Sequence, residues 1–567
     1  MKYTADFETT TNESDCRVWA TGICDIDTNE FYYGNNIDFF FNFAKTHSGS
    51  TFYFHNLKFD GEFIIYHLFK NNFKHVSDIK KLKSNTFTTL ISDKNLFYSI
   101  QICFYKDENT EISCKIFDSL KILPFSVSDI AKAFKFEESK LTIDYEKDRE
   151  INHQLTSEEI EYLKNDVLIV AKALKVLFSQ SLNRITQGSN GFHDFLNIIG
   201  GKKKFRKLFP VQQNDYELRK SYKGGFSYVN EKYKNIDVGK GIVIDVNSLY
   251  PFVMKCFKLP FGEPVKFKGK YEKDNLYSLY IQKLSCQFKL KDNYLPTIQL
   301  KNNLSFIPTE YIKECLDEEV ILDLTSVDLE LFLEHYDVYN LEYLGGYKFK
   351  ATTGLFDDYI NKWYDIKVQS TIEKNYPMRT LSKLMLNALY GYFALNPNIQ
   401  GKIPYLDEND IVKYKLDIPN TREPIYIPVA TFITSWARWY TITSAQKVYE
   451  RFLYADTDSL HLLGTDIPDC LNISDTEMGA WKIEVEEFTR AKYLRAKSYV
   501  EEIDGKLHIT CAGMPTSCYE GVTWENFKEG TSYSGKLQMK HVKGGIILNE
   551  TEFTIKTLRN NSQILTL

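Results

Sequence analysis

The chain has 567 residues, and its 70 Lys and Arg against 75 Asp and Glu leave a formal net charge of -5. Near balance removes bulk charge as an argument for a polyanionic partner, so any nucleic-acid surface has to be local. At about 150 residues per domain the length predicts three or four units, and the 43% hydrophobic content can fill their cores. Aromatic residues are abundant, with 38 Tyr, 40 Phe and 6 Trp, and they suit cores and base stacking equally. The cysteines run from Cys16 to Cys518 without a C-x-x-C pair. That spacing argues against a zinc ribbon or a secreted disulfide framework and predicts a reducing, intracellular setting. No secretory leader precedes the first acidic strand, and no apolar run reaches the roughly 18 residues of a membrane span. A soluble protein with no membrane partner is expected.

In chain order, residues 3–10 read as a strand carrying Asp6-Phe7-Glu8, two carboxylates at i and i+2 on one face. Phe52-Tyr53-Phe54 then hands over through His55-Asn56-Leu57-Lys58-Phe59-Asp60-Gly61 to a helix predicted over residues 62–70. A second helix, predicted over residues 158–178, places Tyr162 and Asp166 at i and i+4 on one face. Each acid alone reads as surface charge. Together, Asp6, Glu8, Asp60 and Asp166 suit a two-metal nuclease site that activates a water and stabilises a leaving oxyanion. The Tyr162 hydroxyl, able to donate and accept, can orient that water.

After Gln187-Gly188-Ser189 the composition turns basic, and a domain boundary is placed there. In Tyr222-Lys223-Gly224-Gly225-Phe226 paired glycines suit close approach of backbone to a partner, although a plain turn reads equally well. Gly241-Ile-Val-Ile-Asp245-Val246-Asn-Ser248-Leu-Tyr250-Pro251 is an apolar strand ending on an Asp, followed by amides and a hydroxyl suited to a metal-bound triphosphate. Residues 256–354 mix strands, one of them at 294–300, with a helix at 326–335; no chemistry is visible there, and they read as an inserted domain. Helices are predicted over 355–368 and 377–394. On the second, Lys383, Asn387 and Tyr390 form one stripe that offers a cation and a flat ring, or, taken alone, the wet edge of a buried helix.

Residues 395–427 read as a hairpin arm turning at 407–410, and 431–438 begin a helix that leads to Tyr454-Ala455-Asp456-Thr457-Asp458-Ser459. That stretch reads as a hairpin whose two acids project to one side, a conflict a divalent cation would resolve; a lone D-x-D is better read as an Asx turn. Lys497-Ser498-Tyr499 follows, and residues beyond about 519 form a small unit carrying Lys536, Lys540, His541 and Lys543. The basic runs at 202–207 and 490–497, and Arg219-Lys220 with Lys223, read singly as solvated faces.

Taken in order, Asp6-x-Glu8, Asn56-x3-Asp60, Tyr162-x3-Asp166, Tyr222-x-Gly-Gly225, Asp245-x2-Ser-Leu-Tyr-Pro251, Lys383-x3-Asn-x2-Tyr-Gly391, Thr434-x2-Ala-Arg438, Tyr454-x-Asp-Thr-Asp-Ser459 and Lys497-x-Tyr499 resemble family B DNA polymerases. The likeness is specifically to the protein-primed branch of small tailed bacteriophages and covers essentially the whole chain. Single motifs are weak; nine in the family's order are specific. The resemblance implies a multidomain α/β fold with a ribonuclease H-like 3′-5′ exonuclease at 1–188 and a right-hand polymerase. Its palm would be 189–255 and 428–518, its fingers 355–394 and its thumb 519–567. Insertions at 256–354 and 395–427 would serve terminal-protein and template contact, and strand displacement and processivity, respectively.

The implied enzyme is a replicative DNA-directed DNA polymerase that adds dNTPs by two-metal phosphoryl transfer, starts from a terminal-protein hydroxyl and proofreads. By resemblance Asp245 and Asp458 are metal ligands with Asp456 beside them, and Val246 is a metal and nucleotide position. Lys383 binds the triphosphate, while Asn387, Tyr250 and Tyr390 line a nucleotide pocket in which a ring excludes a 2′-hydroxyl. In the exonuclease Asp6, Glu8, Asp60 and Asp166 are metal ligands, Tyr162 orients water, Lys140 supports catalysis, and His55, Asn56, Phe59 and Ser119 hold a single-stranded 3′ end. Tyr222, Gly224, Gly225, Thr434, Arg438, Lys497 and Tyr499 contact primer or template.

The implied cofactor is Mg²⁺, two per site, with Mn²⁺ able to substitute. The partners are template and primer DNA, dNTPs and a terminal protein, met as a monomer or as a heterodimer with that protein in the cytoplasm of an infected bacterium. Ala388 departs from the branch's usual Ser, residues 370–376 make a longer connection than usual, and a tail extends past Lys556. Competing readings are a nucleic-acid-primed family B polymerase, an exonuclease with an inactive polymerase half, and a non-catalytic DNA-binding protein. The last would not require carboxylates at metal spacing in two places.

Overall fold

Apolar alternation makes Lys2–Thr9 the centre of an eight-stranded sheet, paired antiparallel with Val18–Asp25 and parallel with Thr51–Phe54. Our computed structural model describes residues 1–145, 147–299 and 311–556; Leu300 of the strand expected at 294–300 and the tail after Lys556 lie outside them. The helix Ser157–Ser179 lies against this sheet, started by a capping box in which Thr156 and Glu159 satisfy each other's backbone. The Thr4 hydroxyl donates to Val167 O at 2.8 Å. Gly22 permits the approach, because a Cβ there would stand 2.6 Å from Leu163 Cγ.

The boundary placed near 188 falls inside a helix. Residues 187–189 open Gln187–Ile199, capped by Thr186, and the segment 180–186 joins that helix to Ser157–Ser179. Composition changed there; backbone structure did not. Ala388 is buried against this helix, where a Cβ on Gly191 would lie 3.0 Å from its own, so the small residue suits a close helix contact.

A five-stranded antiparallel sheet occupies the middle of the molecule, in the order Trp481–Phe488, Gly241–Val246, Ser459–Leu463, Phe452–Asp456, Ser227–Val229. The buried helix Ile427–Lys447 packs against it. Beside it stands a four-stranded sheet of Asp237–Val238, Arg490–Arg495, Ser498–Ile503 and Lys506–Cys511. Another four-stranded sheet spans Leu259–Phe267 to Tyr336–Thr352 and carries the helix Ser326–His335. Asp357–Ile372 and Tyr376–Phe393 form a helical hairpin. The first helix runs on to Ile372, so Glu373, Lys374 and Asn375 alone join the pair, and the long connection expected at 370–376 is mostly helix.

The arm is the hairpin Lys402–Leu406 and Val412–Leu416. It does not stand free. Val412 is buried in the core of the first sheet together with Ile546 and Ile547 of the terminal hairpin Ser532–Val542 and Gly545–Thr554. Tyr414 donates to Glu62 at 2.8 Å, His541 lies 3.6 Å from the same carboxylate, and Asp410 bridges Lys70 and Lys543. Among the described residues no helix is long and apolar enough to cross a membrane.

Gly241 shows how tightly the central sheet closes. A Cβ there would meet Phe488 Cζ at 2.2 Å and Leu462 O at 2.3 Å. Gly241→Ala is therefore expected to destabilise the fold by about 1–3 kcal/mol through overpacking against backbone that cannot yield, measured as a lower midpoint in thermal unfolding.

Candidate active sites

Two acidic sites form where a buried strand turns directly into a helix. Asn56 (φ 74°) and Ser248 (φ 59°) each take the left-handed conformation between a strand and a helix, so the chain reverses without a loop. The first helix accordingly begins at Leu57, not at 62, and puts Asp60 in its first turn.

In the first site Asp6 and Glu8 share one face of Lys2–Thr9, and the Phe7 N–H between them donates to Asp60 Oδ1 at 3.2 Å. Asp166 comes from the long helix. Its Oδ2 lies 3.1 Å from Lys140 Nζ, and its Oδ1 is buried with no hydrogen-bond partner among the described residues. Tyr162 is bonded to Tyr145 at 2.7 Å, hydroxyl to hydroxyl. Burial, then repulsion from Asp166, holds the Asp6 pKa above the usual carboxylate range. Glu8 and Asp60 are raised in the same way, by burial first and Asp6 next. Asp166 is raised by burial and pulled back by Lys140. A cavity of about 80 Å³ opens onto Asp6, His55, Lys140 and Asp166.

The residues expected to meet a single strand are placed unequally. Asn56 and Phe59 are half-buried at the rim. Ser119 is buried, donating to Phe54 O at 3.0 Å, and both His55 ring nitrogens are engaged, with Ser119 Oγ at 3.0 Å and Phe125 O at 2.7 Å. In this conformation His55 and Ser119 brace the strand ends. Sequence reasoning missed Tyr145 and Asp118. Asp118 accepts from the Asn56 and Leu120 amides; as an Asp closing a buried strand it carries the sign that marked Asp245. Tyr145 lies in an irregular segment that gives no periodic signal.

In the second site Asp245, next to last in its strand, lies opposite Ser459, and Val246, its side chain buried, donates its N–H to Asp458 O at 2.8 Å. Burial, then Asp458 and Glu484, raises Asp245 to about 7. Burial, with Asp456 and Glu484 adding to it, raises Asp458 to about 6. Strand alternation does not relate Asp456 to Asp458 as expected, because Thr457 (φ 62°) and Asp458 are themselves the turn. The two acids take separate partners: Asp456 accepts from Ser227 Oγ at 2.6 Å and from Lys497 Nζ at 2.6 and 2.8 Å. Glu484, a third acid, was invisible in the sequence, since only strand pairing brings it beside Asp245.

Tyr250 and Tyr390 stack at 4.1 Å and 21°, below the exposed Lys383 and Asn387 on the same helix. Burial, then Arg379 and Lys482, lowers the Lys383 pKa, and burial, then Lys383 and Arg379, lowers that of Lys367. Four cations thus crowd one mouth, three of them unflagged by sequence.

Gly225 runs against the turn, where a Cβ would meet the Thr457 side chain at 2.8 Å, and Gly224 is open. Tyr222 is half-buried in the same segment. Thr434 and Arg438 do not present themselves to a polyanion. Thr434 is buried and donates to Ala430 O and Thr431 O. Arg438 is 2% exposed, bidentate on Asp328 at 3.0 and 2.6 Å, and bonded to the carbonyls of Lys223 and Gly224 at 2.8 and 2.7 Å. It fixes the glycine segment from behind. Tyr499 packs at 5.0 Å on Tyr454. The basic runs are likewise committed: Arg206 to Glu423 and Ile425 O, Arg219 to Asp215 and Ala394 O, Arg490 to Glu502.

Among the described residues no three acidic, histidine or cysteine side chains close into a cage that would hold a cation unaided. The acids nonetheless fit a hard, oxygen-bound divalent cation of the kind completed by water and phosphate oxygens. Asp166 keeps a buried oxygen without a partner among the described residues, and Asp458 adds to the cost of ionising Asp245.

A carboxyl with a raised folded pKa keeps a proton that the unfolded chain releases, so its stabilising contribution is lost as pH rises from 3.8 to about 7. Asp245→Asn is therefore expected to stabilise the fold at pH 8 without divalent cation by about 1–2 kcal/mol once solvent screening of this partly open site is allowed for, read as a higher unfolding midpoint. The gain should shrink as pH falls toward 4 and under saturating Mg²⁺; a lower midpoint at pH 8 would contradict the electrostatics described.

The family described as DNA polymerase type B, organellar and viral, matches residues 44–154 and 139–476. The chain is 46% identical over 577 aligned positions to the DNA polymerase of Bacillus phage phi29, covering 98% of this chain and 99% of that protein. It is 35% identical to the DNA polymerase of Streptococcus phage Cp-1, covering 98% of each. The structure of phi29 DNA polymerase complexed with primer-template DNA superposes with a TM-score of 0.92 at 45% identity, over 98% of this chain and 100% of that one. A second, with primer-template DNA and incoming nucleotides, superposes at 0.91 with the same identity and coverage. The fold is thus that of an exonuclease joined to a right-hand polymerase, and the chain belongs to the organellar and viral family of type B DNA polymerases.

Proposed function

We propose that this protein is a replicative DNA polymerase with two separated phosphoryl-transfer centres, one synthetic and one proofreading, that starts chains from a protein hydroxyl. The observation that carries the reading is the pair of acid clusters, each at the end of a buried strand and each beside a lysine, Lys497 and Lys140. The relatives' complexes with primer-template DNA and nucleotides support the same partners here. In this reading residues 1–188 are the exonuclease, 189–255 and 428–518 the palm, 355–394 the fingers and 519–567 the thumb. Residues 256–354 and 395–427 are insertions for terminal-protein contact and for strand displacement.

In the palm, Asp245, Asp458 and Val246 hold the metal-bound triphosphate, with Asp456 setting the position of Lys497. Lys383 and its cationic neighbours draw the triphosphate, and the Tyr250 and Tyr390 rings bound the sugar, where bulk rejects a 2′-hydroxyl. Tyr222, Gly224, Gly225, Lys497 and Tyr499 lie along the primer, with Thr434 and Arg438 holding that segment from within. In the exonuclease, Asp6, Glu8, Asp60 and Asp166 face the scissile phosphate, and Tyr162, steered by Tyr145, orients the water. Lys140 offsets developing charge, and Asn56 and Phe59, braced by His55 and Ser119, receive the frayed end. Two Mg²⁺ per site, replaceable by Mn²⁺, would be held by these carboxylates and would supply positive charge for phosphoryl transfer. The setting is the cytoplasm of an infected bacterium.

Asp458→Ala is expected to cut primer extension by on the order of 10³-fold while single-strand 3′-5′ degradation persists, and Asp6→Ala with Asp60→Ala to do the reverse, as loss of preorganised charge requires. Normal extension by Asp458→Ala would overturn the palm assignment. Protein priming is tested with a candidate terminal protein, labelled dATP and Mg²⁺ or Mn²⁺. A covalent protein–nucleotide adduct is expected, and its absence alongside efficient extension of DNA primers would favour nucleic-acid priming. Removing residues 395–427 should reduce strand displacement more than gap filling; equal losses would count against the arm's role.

A further inference from the structure

Behind the catalytic turn, the two palm sheets meet on a buried knot of polar and aromatic side chains. His461, paired with Tyr454 across the hairpin, is 2% exposed. Its Nδ1 lies 2.5 Å from Glu501 Oε1, which also accepts the Tyr493 hydroxyl at 2.9 Å. His461 and Tyr454 belong to the sheet of Asp245 and Asp458; Tyr493 and Glu501 belong to Arg490–Arg495 and Ser498–Ile503 of the neighbouring sheet. The rings of Tyr454, His461, Tyr493 and Tyr499 pack with centroids 5.0–5.6 Å apart.

Two tight turns face each other above this knot. One is Thr457-Asp458. The other, Ala496-Lys497, joins the two strands that carry Tyr493 and Glu501, and Lys497 takes φ 58° in it. The Lys497 N–H donates to the Tyr454 hydroxyl at 2.9 Å, while its ammonium holds both oxygens of Asp456. A buried carboxylate is costly, and apolar side chains of similar size usually stabilise a core at least as well. What an acid bonded to a His and a Tyr from different sheets adds is a single fixed register between those sheets.

We propose that Glu501 is a positioning residue for nucleotide addition. Through His461 and Tyr493 it locks the Lys497 turn against the Asp456–Asp458 turn. The inference rests on the palm being the synthetic centre. It is tested in the full-length protein by a double-mutant cycle of Glu501→Gln and Lys497→Ala. Glu501→Gln is expected to lower kcat for primer extension by about ten- to hundredfold, as small misplacements of catalytic groups do, with little change in the KM for dNTP. Single-strand exonuclease activity should be unchanged, and Glu501→Gln should cause no further loss in the Lys497→Ala background. Losses that multiply, or wild-type extension by Glu501→Gln, would overturn the proposal. Should Glu501→Gln also lose exonuclease activity through misfolding, Tyr493→Phe, which keeps the ring and removes one donor, enters the same cycle with the same criteria. Asp458→Ala run in parallel separates the cases: its continued extension would reject the palm reading itself, whereas multiplying losses beside an inactive Asp458→Ala would reject the lock alone.

Discussion

Repulsion between buried carboxylates is the constraint around which this molecule is arranged. Asp6, Glu8 and Asp60 in one site, and Asp245 and Asp458 in the other, are held where burial and like charge disfavour ionisation. Nothing local favours such an arrangement, so rigid surroundings have to impose it. They do so with one device used twice: a left-handed residue, Asn56 or Ser248, sends the chain from a hydrogen-bonded strand straight into a helix. Strain and repulsion kept together in this way mark a site built for a charge that comes from outside the chain.

Buried ion pairs supply much of the rigidity, and they explain why Arg438, which the family resemblance aimed at DNA, points inward. Arg438 joins helix Ile427–Lys447 to Asp328 of the helix Ser326–His335 and to the glycine segment beside the Thr457-Asp458 turn. Arg149, 6% exposed, pairs with Glu159 and lies 3.9 Å above the Trp19 ring, pinning the irregular segment that delivers Lys140 and Tyr145. A guanidinium with every donor engaged shapes a binding surface without touching the ligand.

The first sheet, the arm and the terminal hairpin share one core, so the arm is anchored by its own apolar side chains. Glu62 sits at that junction, raised to about 8 by burial despite the Tyr414 hydroxyl. It lies two residues from Asp60 on one helix, which ties the geometry of the first acid site to the seating of both hairpins.

The sequence by itself determined the elements and the chemistry. Apolar alternation, helical spacing and the order of the acidic motifs placed strands, helices and most of the acids, because those signals are local along the chain. It also led to the family. The tertiary structure decided what depends on pairing between distant strands: that Glu484 stands beside Asp245, that Asp118 and Tyr145 complete the first site, and that Asp456 belongs to Lys497. It also decided which cations are free, since Arg206, Arg219 and Arg438 find their partners more than 100 residues away, on surfaces that exist only once the chain has folded.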